Sequence, residues 1–259
     1  MCTIPFRHVP GARTTNIKKC SAEVTMNNMR GIEKTFSLDV HGFQVEEWPT
    51  NVALDVFSDN AAIEKTYYHE CEEYLKTLGV KKVFIFDHVV STRFKPVGVK
   101  EFQRNLPPAL GAHVDQTPAS ARRRVLHHLP DEADKLLQGR VQILNLWRPL
   151  FSGVRDHPLA LCDYRSTSEL DLIAADLPSP HYEGEMFYVK PSVNHSWWFL
   201  DAMKHEEVLL LKCYDSKAEE GEGMGNIARF TPHTSFKWSG TPEGARPRES
   251  IEVRALCFY

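Results

Sequence analysis

The 259-residue chain carries six cysteines, Cys2, Cys20, Cys71, Cys162, Cys213 and Cys257, but no CxxC pair. That scatter excludes a zinc ribbon, a thioredoxin-like motif and a secreted disulfide framework, and it reads as reduced thiols in a cytoplasmic protein. Long apolar runs are also missing. Stretches such as Val208 to Leu211 fall far short of the roughly 20 residues that cross a bilayer, and Met1 to Arg7 has no apolar leader core. No membrane is therefore expected. An excess of one charge is lacking too: 31 Lys and Arg stand against 34 Asp and Glu, a net charge of -3, which gives nucleic acid little to bind. The one basic run, Arg122-Arg123-Arg124, reads as a solvated helix face.

Several catalytic signatures are absent as well. There is no GxxxxGK[ST] and no GxSxG, and the glycines of 221–226 have the wrong offsets for a dinucleotide fingerprint. His69-Glu70 opens like HExxH, but Glu73 stands where the second histidine is needed.

What is present is an ordinary globular composition, 42% apolar and 25% charged, in a chain long enough to bury its own core without disulfides or a structural metal. The pattern predicts one domain over 1–259, with helical and strand additions over about 1–105. Thr35–Val40 alternates, His41-Gly42 can turn, and Phe43–Val45 resumes, which predicts a hairpin or bent strand pair. Asp59 or Asn60 caps a helix with the stripe Ile63, Tyr67, Cys71, Tyr74, Leu75 and Leu78, ended by Gly79. Lys82–Val90 is a strand. Thr117-Pro118 opens a helix to about Leu129, and a second short helix runs from Pro130-Asp131 to Gly139. Six strands then follow in Val141–Trp147, Leu159–Cys162, Met186–Val189, Ser196–Leu200, Val208–Tyr214 and Ser250–Phe258. Strands without long intervening helices give a mainly β fold with added helices, a double-stranded β-helix or cupin-like jelly roll.

The chemistry-bearing residues are few. Period two on an extended chain sends His113 and Asp115 to one face, making a two-tooth clamp. His233 follows near the end of the strand region, and Arg248-Glu249-Ser250 opens the last strand. Two imidazoles and one carboxylate form the facial triad of non-haem iron(II) oxygenases. Arg248 offers a planar fork suited to a carboxylate, with the Ser250 hydroxyl on the same face.

His113-x-Asp115, His233 and Arg248-x-Ser250 together resemble the iron(II)/2-oxoglutarate-dependent dioxygenase superfamily. Asn145–Leu150, Pro158–Asp163, Glu207–Ser216 and Arg248–Arg254 narrow the resemblance to the fungal hydroxylase/desaturase family, which includes gibberellin desaturases and relatives of a cephamycin methoxylation protein. It spans about Phe36 to Tyr259. The resemblance implies a jelly roll that uses Fe(II), 2-oxoglutarate and O2 to hydroxylate or desaturate a small natural product. It also implies that His113, Asp115 and His233 bind iron while Arg248 and Ser250 anchor 2-oxoglutarate.

Period two places Arg248, Ser250, Glu252 and Arg254 on one face of the last strand, an unusually charged inward surface that a Glu252–Arg254 pair across neighbouring strands would neutralise. Arg254 lies roughly 20 Å along the strand from Arg248, so one carboxylate cannot take both. Asn145, Trp147, Arg148, Tyr188 and His195 are candidates for the substrate pocket. Arg148 reads equally as a second anion-binding group or a structural ion pair. Two other readings remain: a cupin-like metal dioxygenase without 2-oxoglutarate, and a non-catalytic jelly-roll binding protein.

Overall fold

The computed structural model describes residues 18, 20–92, 105–106, 108–179, 182–218 and 227–259; the glycine-rich loop of 221–226 and Met1 to Arg7 lie outside them. Among the described residues the strands are β1 (Met26–Asn28), β2 (Phe43–Glu47), β3 (Lys82–Thr92), β4 (Asn105–Leu106), β5 (His113–Val114), β6 (Val141–Pro149) and β7 (Leu159–Cys162). They continue as β8 (Leu172–Ser179), β9 (Tyr182–Val189), β10 (Trp197–Phe199), β11 (Glu207–Asp215), β12 (His233–Ser235) and β13 (Glu249–Phe258). The helices are α1 (Asn60–Ala62), α2 (Tyr68–Thr77), α3 (Pro118–His128) and α4 (Ala133–Leu136).

Two sheets face each other as the halves of a jelly roll. One runs β1-β10-β7-β12-β5-β9-β8 and the other β2-β11-β6-β13-β3-β4. Leu159 and Leu161 of the first pack on Trp147, Leu209 and Leu211 of the second, closing the space between them. The outer face of the six-stranded sheet is equally apolar. Ile251, Val253, Ala255 and Cys257 alternate outward from β13 and are fully buried against Ile63, Tyr67, Cys71 and Leu75 of the helical segment. That burial leaves the other face of β13 free to carry charge toward the interior.

The helical segment starts where expected, with the Asp59 carboxylate accepting from the Ala61 N–H, and it stops at Gly79, whose φ is +88°. Within it Ile63–Tyr67 forms a π turn. Side chains spaced by four drift about 40° per step around an α-helix, and the wider turn winds back part of that drift. Ile63, Tyr67, Cys71 and Leu75 thereby all reach the sheet. α3 begins at Pro118 with the Thr117 hydroxyl accepting from the Ser120 N–H.

Two expectations are corrected. Thr35–Val40 is not a strand: Glu33–Thr35 is a 3-10 turn, and the His41 N–H closes back on the Ser37 carbonyl. Phe36 gains burial by stacking on Phe43 at 5.2 Å instead of by strand pairing. Gly42, at φ +90°, passes so close to Thr231 that a Cβ would lie 2.6 Å from its hydroxyl, and β2 pairs with β11. The strand β8 lies outside the runs that the sequence predicts as strands; it is an edge strand of its sheet, where the missing N–H of Pro178 is tolerated.

Arg148 points to the outer face of β6 and is fully buried there, so it is neither an ion pair nor an anion site. Its Nε donates to the Tyr67 hydroxyl at 3.0 Å, and its terminal nitrogens donate to the carbonyls of His205 at 2.8 Å and Trp48 at 2.6 Å. The guanidinium also lies 4.7 Å above the Trp48 ring. Arg148→Ala is expected to cost roughly 3 kcal/mol in chemical denaturation, since it leaves a cavity and two buried carbonyls without donors. A loss below about 1 kcal/mol would mean that water replaces the guanidinium at no net cost.

Candidate metal centre

β5 and β12 are neighbours in the seven-stranded sheet, with His113 directly opposite His233. The register brings the two rings to 4.3 Å between centroids. Asp115 follows two residues after His113, and one donor atom from each of the three side chains lies within 4.8 Å of the others. His113 Nε2 is 3.3 Å and His233 Nε2 is 3.7 Å from Asp115 Oδ1.

Hydrogen bonds behind the cluster aim these atoms. His113 Nδ1 lies 2.7 Å from the Gly111 carbonyl and His233 Nδ1 lies 3.0 Å from the Thr231 carbonyl. A carbonyl only accepts, so each Nδ1 carries the proton and each Nε2 can offer a lone pair to the shared centre. Asp115 is held in the same manner: Oδ2 accepts from Asn145 Nδ2 at 2.8 Å and from Arg254 Nε at 3.0 Å, while Oδ1 faces the imidazoles. Burial, with His113 alongside, pushes His233 down to about 4, so it is neutral near pH 7. Burial opposes charge on Asp115, but the Arg254 guanidinium together with His113 and His233 outweighs it and holds the carboxyl well below its usual range. Burial likewise opposes charge on His113, yet the hydrogen bond and charge of Asp115, together with the Gly111 carbonyl and Glu252, leave it raised. Two aimed nitrogens and one carboxylate oxygen on one side suit Fe(II), with room left for further ligands.

The cluster opens on a cavity of about 150 Å³ between the sheets, whose lining includes His113, His233, Trp147, Arg248, Ser250 and Glu252. Arg248 is 4% exposed and makes no ion pair with a carboxylate among the described residues. Burial pushes its pKa down to about 10, still charged near neutral pH. Its terminal nitrogens donate to the His157 carbonyl at 2.8 Å and to Ser91 Oγ at 3.3 Å. Its Nε and the Ser250 Oγ are buried without a partner among the described residues. Such donors fit a carboxylate.

β13 and the residue just before it turn four polar side chains inward, because Arg248, Ser250, Glu252 and Arg254 all line the cavity. The compensating pair runs along one strand, not across two: Arg254 bonds Glu252 at 2.6 Å and Asp87 of β3 at 3.0 Å. Trp147 also lines the cavity, and Asn145 reaches the site through Asp115. Arg148 and His195 point elsewhere, while Tyr188 lies beside the cluster without being among the residues that line the cavity. Tyr188 sits on β9 opposite His113, and His195 is tied to Asp171 at 3.0 Å. Sequence reasoning missed Ser91, Asp87 and Asp156, whose positions beside the site depend on strand pairing or loop path.

A family model described as "Oxidoreductase/YMDC permease-like domain" matches residues 3–258. Among the described residues no helix is long and apolar enough to cross a membrane. Aspirochlorine biosynthesis protein N of Aspergillus oryzae is 39% identical over 60% of this chain, and the chain spans 63% of that protein's length. Hydroxylase/desaturase efuI of Hormonema carpetanum is 32% identical, covering 95% of this chain and 86% of its own. Fe(II)/2-oxoglutarate-dependent dioxygenase nvfI of Aspergillus novofumigatus is 31% identical over 96% of this chain and 87% of its own. A solved structure of the iron and alpha-ketoglutarate-dependent endoperoxidase NvfI superposes with a TM-score of 0.85 at 27% identity, covering 99% of this chain and 92% of that one. Sheet topology, the aimed triad and these likenesses agree: the chain belongs to the fungal hydroxylase/desaturase family of iron(II)/2-oxoglutarate-dependent dioxygenases, which work with Fe(II), 2-oxoglutarate and O2.

Proposed function

We propose that the enzyme hydroxylates or desaturates a small natural product, with His113, Asp115 and His233 holding iron and Arg248 with Ser250 holding the distal carboxylate of 2-oxoglutarate. One observation carries this reading: Arg248 and Ser250, whose Nε and Oγ are buried without partners among the described residues, line the same cavity as His113 and His233. When bound, iron and 2-oxoglutarate supply the oxidising power to break an unactivated C–H bond. The overall balance is substrate, 2-oxoglutarate and O2 giving alcohol, succinate and CO2, or alkene, water, succinate and CO2.

The protein's own part is placement. Gly111 and Thr231 carbonyls fix the imidazoles, Asn145 and Arg254 fix the carboxylate, and Val89, Trp147 and Leu159 line the cavity with apolar surface that limits water. The cavity is smaller than the roughly 300–1,000 Å³ of drug-sized ligand sites, so a substrate of that size would lie across its mouth. One relative is named for the biosynthesis of aspirochlorine, which supports a natural product as substrate class. The cupin-like reading without 2-oxoglutarate and the non-catalytic reading leave the two donors unexplained. Described residues from both sheets and the helical additions share packed cores, which supports one domain over 1–259. The free cysteines, four of them buried, support a cytoplasmic setting.

Incubation of the purified protein with Fe(II), 2-oxoglutarate, O2 and candidate metabolites is expected to yield succinate together with a product heavier by one oxygen or lighter by two hydrogens in mass spectrometry. Succinate formation independent of iron would refute the reading. Anaerobic Fe(II) and 2-oxoglutarate are expected to give a weak visible chelate band that His113→Ala abolishes. Arg248→Ala is expected to raise the KM for 2-oxoglutarate by about 100-fold, the scale for removing one partner of a buried charge pair. Arg254→Leu is expected to weaken Mn(II) binding about 10- to 100-fold in calorimetry by freeing the Asp115 carboxylate, and an unchanged affinity would remove Arg254 from the metal-site support.

A further inference from the structure

His157 adopts φ +48°, one of two positive values outside glycine among the described residues. The conformation is doubly disfavoured, since His157 bears a Cβ and precedes Pro158. Backbone held in this manner needs surroundings that over-determine it, and here they converge on one residue. The His157 carbonyl accepts from a terminal nitrogen of Arg248 at 2.8 Å and from Ser235 Oγ at 3.3 Å. The preceding residue, Asp156, is 4% exposed and divides its carboxylate: Oδ1 takes the His157 Nδ1–H at 2.8 Å, and Oδ2 takes the Arg248 backbone N–H at 3.2 Å. Arg248 is thus gripped at both its backbone and its guanidinium by two consecutive residues of one loop. Ser91 holds the other terminal nitrogen, and Nε is left unpartnered.

We propose that the Asp156–His157 turn is the positioning element of the 2-oxoglutarate anchor, presetting the Arg248 fork before the cosubstrate arrives. The proposal rests on the reading of Arg248 as that anchor. A carbonyl stabilises a buried guanidinium without neutralising it, so Arg248 stays charged and available, whereas a carboxylate at the same point would compete with the ligand. The left-handed backbone is what turns the His157 carbonyl toward Arg248. Asp156 and His157 are positioning residues and touch no reacting atom.

The test is calorimetric titration of 2-oxoglutarate into Mn(II)-loaded full-length protein, with Mn(II) affinity and thermal unfolding measured in parallel. His157→Val disfavours positive φ strongly, whereas His157→Gly accepts it and keeps the carbonyl. The expected result is a Kd for 2-oxoglutarate at least about 10-fold weaker in His157→Val and within about threefold of the parent in His157→Gly, with Mn(II) affinity unchanged in both. Asp156→Asn leaves the backbone untouched and is expected to weaken 2-oxoglutarate about fivefold or more, so it carries the test if His157→Val does not fold. An unchanged Kd in both Asp156→Asn and any folded His157→Val overturns the proposal, as does equal weakening in His157→Val and His157→Gly. Arg248→Ala separates the two claims. If it leaves the Kd unaltered, the anchor reading itself fails; if it weakens binding while the turn variants do not, the positioning proposal alone fails.

Discussion

The two oxygens of Asp115 face opposite demands, and the site depends on their separation. Oδ2 is taken by Arg254 and Asn145, which leaves Oδ1 to the imidazoles. A buried carboxylate would otherwise tend to take a proton, because the low-dielectric interior disfavours charge. Arg254, with the two imidazoles, counters that tendency and is itself balanced by Asp87 and Glu252. The geometry of the candidate metal centre is therefore maintained by a charge network that extends from β13 to β3 and reaches the opposite sheet through Asp115.

β13 links both ends of the site. Its period-two alternation places Arg248 at one end of the cavity and Arg254 behind the triad, with Ser250 and Glu252 between them. The same alternation directs Ile251, Val253, Ala255 and Cys257 into the helix-covered core. The interior face carries desolvated charge at a cost in stability, and the fully apolar outer face offsets it. A one-residue slip would exchange the two faces, so the long pairings of β13 with β3 and β6 protect the chemistry as well as the fold.

Legibility in the sequence followed the range of the interaction. β7 emerged with the boundaries its apolar run suggests, and α3 began at the Thr117-Pro118 cap, because capping and alternation are local signals. Thr35–Val40 misled because alternation also suits a turn whose Phe36 stacks on a ring seven residues away. Arg148 was ambiguous for a comparable reason: its partners on Tyr67, Trp48 and His205 lie 81, 100 and 57 residues away. His195 looked like a pocket residue beside aromatics, yet an acidic neighbour in a 3-10 turn, Asp171, holds it elsewhere.

The linear order of residues determined the donor set, since His-x-Asp on an extended chain puts an imidazole and a carboxylate on one face, and a guanidinium and hydroxyl two apart share another. It also determined the mainly β class through repeated short alternating runs. Only the tertiary structure decided that His233 faces His113, that Arg254 braces Asp115, and that an Asp156–His157 turn holds Arg248. Each of those contacts joins segments dozens of residues apart, and strand register and loop path, which no local pattern encodes, bring their atoms within hydrogen-bonding distance.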